Sequence, residues 1–88
     1  MDEKFENEFE KLFLALEIIL PKSTLADFAN VAEDGLWEFH FTIGLFLRNN
    51  FISPGNAVNQ LFNELGIFLA DDMSDIIISR FHKFLKRL

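Results

Sequence analysis

The sequence predicts an all-α fold, a compact bundle of four to five helices, on three observations. Apolar residues recur at three- and four-residue spacing along most of the 88 residues. Helix punctuation at Pro21, Ser53-Pro54 and Gly66 divides that pattern into pieces. In the last piece, acids lead and bases trail, as the helix dipole favours.

The first helix is expected from Glu3 to Leu20, with Phe5, Phe9, Leu12, Phe13, Leu16, Ile19 and Leu20 on its core face and Pro21 ending it. Leu14 and Ile18, four residues apart, fall on the opposite side and need a neighbour of their own, either another helix or another molecule. Ser23 or Thr24 reads as an N-cap for a short helix from Leu25 to about Val31. A third helix is expected over about residues 33–49. Its apolar residues spread over most of the circumference, the pattern of a buried central helix. Ser53-Pro54 reads as the start of a fourth helix carrying Ala57, Val58, Leu61, Phe62 and Leu65, with Gly66 as C′ and Ile67 as the apolar contact of a Schellman motif. The last helix is expected from Asp71/Asp72 to the end, with Met73, Ile76, Ile77, Phe81, Phe84, Leu85 and Leu88 facing inward.

Length sets one domain, residues 1–88, and the chain is large enough to fold without disulfides or metals. Half of it is hydrophobic and twelve residues are Phe, more apolar material than one small core readily hides. Surplus apolar surface on a small domain marks a partner or self-association. With no Cys, disulfides, thiolate metal sites and thiol nucleophiles are excluded. The acidic start, MDEKFENEFE, is the reverse of a secretory leader, and the longest apolar stretch, Leu12 to Leu20, is too short to span a bilayer. A cytoplasmic protein is therefore expected. The net charge of −6 is uneven: residues 1–38 carry ten acids against three bases, residues 39–88 four against five. That balance argues against nucleic acid, where affinity comes from Lys and Arg, and for docking onto a basic protein.

No catalytic residue, cofactor or metal ligand is expected, because the two histidines, His40 and His82, lack a ligand-type spacing and no nucleophile motif is present. One polar stripe interrupts the apolar third helix: His40, Gly44 and Arg48, spaced by four, beside Trp37. A glycine in a helix interior costs about 1 kcal/mol relative to Ala, and the compensation is close approach by a ligand or another helix. The stripe therefore reads either as a shallow polar pocket or as a packed helix crossing. His82 reads as a surface residue at the edge of the last helix's core face. Arg80, within the apolar arc, either snorkels or pairs with an acid of the first helix. Asp71-Asp72 reads as helix capping. The acids Asp2, Glu3, Glu6, Glu8 and Glu10 form a solvated face, and a docking surface if they are functional.

The segments HFTIGLFLRNN (40–50), LFNELGI (61–67) and DDMSDIIISRFHKFL (71–85) resemble an uncharacterised family of small bacterial helical proteins. Its pattern runs H-F-x-x-G-x-x-x-R-N-N, then F-N-E-L-G-I, then H-P-D-D-M-S. The resemblance covers the half of the chain from His40 onward and marks Arg48, Asn49, Asn50, Asn63 and Glu64 among its polar positions. Leu69-Ala70 stands where the pattern has H-P. It implies a bacterial origin and a helical domain, and supplies no mechanism. If the third helix's end meets the fourth's, Arg48 and Glu64 could form a charged cluster.

The function expected from these features is a small acidic protein-binding module, in the manner of an immunity protein or antitoxin acting by occlusion. Trp37, His40, Gly44, Arg48, Asn49, Asn50 and Glu64 are its candidate binding residues, and Leu14 and Ile18 its candidate interface. Two alternatives stand beside it. One is a small-molecule or catalytic site around His40 and Arg48, the other a homodimeric structural protein.

Overall fold

A computed structural model describes residues 3–87; the expectations placed on Asp2 and Leu88 lie outside the described residues. The chain folds as α1 (Glu3–Ile19), α2 (Lys22–Asn30), a 3-10 helix (Glu33–Phe39), α3 (Ile43–Asn50), α4 (Ala57–Glu64) and α5 (Ala70–Leu85). The described residues contain helices and turns and no strand, so the fold is all-α.

α1 buries Phe5, Phe9, Leu12, Phe13 and Leu16 of its expected stripe, with Leu20 packed partly against the core. Ile19, expected on the same face, is 52% exposed because the core ends before the last turn. α2 begins earlier than the Ser23/Thr24 cap would allow. Pro21 occupies the N-cap, and its carbonyl accepts the first helical bond from Leu25 N–H at 3.0 Å. The 53–56 segment is a turn rather than the start of a helix. Pro54 and Gly55 (φ +89°) take its central positions, and Asn56 N–H bonds back to Ser53 O at 3.0 Å, the geometry of a type II turn. α4 then starts behind Asn56, whose side chain accepts from Val58 N–H at 3.0 Å. It ends in the expected Schellman motif: Gly66 (φ +83°) bonds to Asn63 O and Ile67 to Phe62 O, at 3.0 and 2.9 Å.

The continuous buried helix expected over 33–49 does not form. Residues 33–39 wind as a 3-10 helix with no fully buried residue, residues 40–42 turn, and α3 occupies only the second half. The physical reason is twofold. Trp37, Phe39, His40, Phe41, Thr42 and Ile43 all lose side-chain freedom or compete with the backbone in an α-helix. A helix apolar all round also needs neighbours all round, and in this fold the elements that could supply them are packed around α5. Breaking it lets Leu36 and Phe39 pack on the core while Trp37 and Phe41 face outward, 73% and 78% exposed.

α5 takes the central place instead. It packs most extensively on α3, then on the 3-10 helix, and also touches α1 and α2; α1 in turn packs on α4. Being covered on several sides, α5 buries Ser74, Ile78 and His82 besides Met73, Ile77 and Phe81. A relay of phenylalanine rings joins the layers: Phe5 to Phe62, Phe9 to Phe62, Phe13 to Phe81 and Phe81 to Phe28, with centroids 5.2 to 5.7 Å apart. Such pairs add about 0.5–1.5 kcal/mol each beyond the area they bury. The Cα radius of gyration, 12.4 Å, is near the roughly 12 Å of a compact chain this long, so the exposed aromatics are not the product of an open structure.

Candidate functional site

The polar stripe of residues 40–48 is a helix crossing. A Cβ on Gly44 would lie 3.0 Å from Arg48 Nη1, 3.4 Å from Ile78 Cδ1 and 3.5 Å from Phe39 O, so the glycine exists to seat α5 and the guanidinium. Arg48 Nη1 donates to Ser74 Oγ at 3.0 Å and Nη2 to His40 O at 3.1 Å, and Nε lies 3.5 Å from Asp71 Oδ1. Ser74, fully buried, donates its own hydroxyl hydrogen bond to the Asp71 carbonyl oxygen at 3.0 Å. Arg48 thus ties the break after the 3-10 helix to the first turn of α5. Two of the resemblance's motif segments meet here as architecture: His40, Gly44 and Arg48 from one, Asp71 and Ser74 from the other.

Arg48 does not meet Glu64, since its bonding is taken by α5. Glu64 is exposed and lines a small dent with Lys4, Glu8 and Gln60 on the α1–α4 side. Asn49 is exposed, and Asn50 Nδ2 bonds locally to Phe46 O at 2.9 Å. Neither joins the others.

Trp37 and His40 do come together, one step away from Gly44. A shallow cavity of about 350 Å³ lies between the 3-10 helix and α5, lined by Glu33, Leu36, Trp37, His40, Asp75 and Ile78 with Ser79 at its edge. His40 Nδ1 sits 3.2 Å from Asp75 Oδ1, and the imidazole meets the Phe41 ring edge-on at 4.9 Å. On the other side of Asp75 a second groove of about 540 Å³ runs along Gly66–Leu69, Asp72 and Ile76. Phe68 and Leu69 stand at it, 69% and 66% exposed. The two grooves share Asp75 as a wall. Their charged linings are Glu33, Asp72 and Asp75, with no Lys or Arg.

The α1 side differs. Its groove of about 580 Å³ mixes Glu6 and Glu10 with Arg80 and Lys83 over Phe9, Phe13 and Phe84. Arg80 does pair with the first helix, through both Glu6 oxygens at 2.7 and 2.6 Å and over the Phe9 ring at 4.8 Å. Glu8 pairs with Lys11 at 3.4 Å and Glu17 with Arg87 at 3.5 Å. Two acids of the N-terminal face, Glu6 and Glu8, are therefore already paired within the chain. Leu14 and Ile18 lie on α1 with Ile19 as exposed apolar residues, Ile18 at 85%.

Two buried polar residues escaped the sequence reading. His82, expected at the surface, is 1% exposed; its Nε2 pairs with Val31 O at 2.8 Å, pinning the end of α2 to α5. Asn59 donates to Ile52 O at 2.8 Å and to Met73 Sδ at 3.6 Å, and accepts from Asn63 Nδ2 at 3.0 Å. Its position on the α4 stripe beside Val58 and Phe62 was the available signal. Among the described residues, no group of three or more His, Asp or Glu is placed to hold a metal ion, and no helix is long and apolar enough to cross a membrane.

Fold and surface define a helical domain with an aromatic, acid-lined face. Residues 7–85 match the family described as "Domain of unknown function (DUF6794)", and the chain belongs to it. No curated protein and no solved structure matches the chain.

Proposed function

We propose that this chain is a protein-binding module that docks a basic partner on the face between the 3-10 helix and α5. The observation that carries the reading is the pair of adjoining grooves around Asp75, whose linings hold Glu33, Asp72 and Asp75 with no Lys or Arg and include exposed Trp37, Phe68 and Leu69. Large exposed aromatics at a groove are the usual anchors of an interface, and a single sign of charge selects a partner of the other sign and speeds encounter. Acting by occlusion, as an immunity protein or antitoxin acts on a basic toxin, suits a small acidic domain of bacterial type. A photo-crosslinking residue placed at Trp37 or Phe68 in the native cells tests it. One basic protein should be captured at both positions and not at Asn7 on the far face of α1, with yield falling as salt rises. Equal labelling at all three positions would contradict it.

A second reading rests on Ile18. With Leu14 and Ile19 it leaves an apolar patch on α1, which a second copy of the chain could cover. Sedimentation equilibrium decides: a dimer that Ile18→Glu returns to monomer supports self-association through α1, and a monomer at all concentrations removes it.

A further inference from the structure

We infer that the cavity between the 3-10 helix and α5 receives one arginine side chain of the docked partner. The inference rests on the docking reading above and names its anchor. Leu36 and Ile78 form an apolar floor for the methylenes, Trp37 offers an exposed indole face, and Glu33 and Asp75 supply two carboxylates at the rim. The volume, about 350 Å³, is at the small end of ligand sites, which run to about 300–1,000 Å³, and suits one long side chain rather than a helix.

Charge complementarity selects the occupant. Among the described residues, Asp75 is ion-paired with the His40 imidazole alone and Glu33 has no ion-pair partner. His40 is the one base in the lining, and Arg48 behind it is turned inward onto Ser74, Asp71 and the His40 carbonyl. The cavity therefore has acids and an aromatic face with no lysine or arginine of its own. Arginine fits better than lysine, because its planar guanidinium stacks on an indole and can bridge carboxylates, whereas an ammonium is a strongly hydrated point charge.

The chain's single tryptophan and its lack of tyrosine make the site report on itself. The test is a titration of the full ¹⁵N-labelled chain with N-acetyl-arginine amide, following the Trp37 indole resonance and the Asp75 amide. A saturating shift in the millimolar range is expected. It should be weaker with the blocked lysine, absent with the neutral isostere citrulline, and weakened about tenfold in Glu33→Gln and in Asp75→Asn. Glu33→Gln leaves the His40 contact intact, so it separates loss of the cation site from any rearrangement at His40. No saturating shift, an equal shift with citrulline, tighter binding of lysine, or unchanged binding in both variants would each overturn the inference. If crosslinking at Trp37 captures a basic partner while blocked arginine does not bind, the docking face stands and the arginine pocket falls.

Discussion

Gly44 is the residue at which propensity and packing conflict most openly. Alanine there would gain about 1 kcal/mol of helix propensity, but its Cβ would press on an Arg48 guanidinium held by Ser74, His40 and Asp71. Charged hydrogen bonds of this kind contribute about 1.5–3 kcal/mol, so Gly44→Ala should lower stability by about 1 kcal/mol in urea unfolding. In an Arg48→Ala background the same change should become neutral or stabilising, since the remaining neighbours stand at 3.4 Å or more. Asn59→Ala should cost about 2 kcal/mol by leaving the Ile52 carbonyl buried without its donor. The stripe at 40–48 was legible from spacing alone, with pocket and crossing left as open alternatives. What spacing could not show was which partner Arg48 would choose, because Ser74 and Asp71 approach only after α5 docks. His82 misled for the same reason: its helix was read as having one buried face, and it has several.

Among the elements, α1, the Schellman end of α4 and the extent of α5 were legible, because each is written in local periodicity and local punctuation. The break within 33–49 was not, although Gly35 and the run of poor helix formers from Trp37 to Ile43 were the signal. Apolar periodicity says a residue wants burial; it does not say the chain has enough neighbours to bury it. The Ser53-Pro54 reading failed on a single residue, Gly55, which turns a Pro-initiated helix into a Pro-Gly turn. Two outcomes follow at this scale. Gly55→Ala and Gly66→Ala should each cost about 1 kcal/mol and add independently, since both glycines have positive φ and open space around them. In native-state hydrogen exchange, α5 amides near Ile77 should open only with global unfolding. Those of the 3-10 helix, which has no fully buried residue, should open by a cheaper local route.

For the whole molecule, the all-α class, the surplus of apolar surface and the exposure of Leu14 and Ile18 were readable from composition and period, but the exposure of Phe41, Phe68 and Leu69 was not. Sequence charge pointed to the N-terminal half, and there Glu6, Glu8 and Glu17 prove to be answered by Arg80, Lys11 and Arg87. Folding brings Glu33 from the first half into one cavity with Asp75 from the second, which also walls the groove of Asp72, and this face without Lys or Arg exists only in three dimensions. The most direct measurement of the account is the affinity of the crosslinked partner for two charge-reversed forms of the chain, each checked for folding by circular dichroism. Reversing Asp72 and Asp75 to Lys should weaken binding by well over about tenfold, while reversing Glu8 and Glu10 should change it little. The opposite ranking, with α1 reversal abolishing binding and α5 reversal tolerated, would contradict the account and return the docking surface to α1.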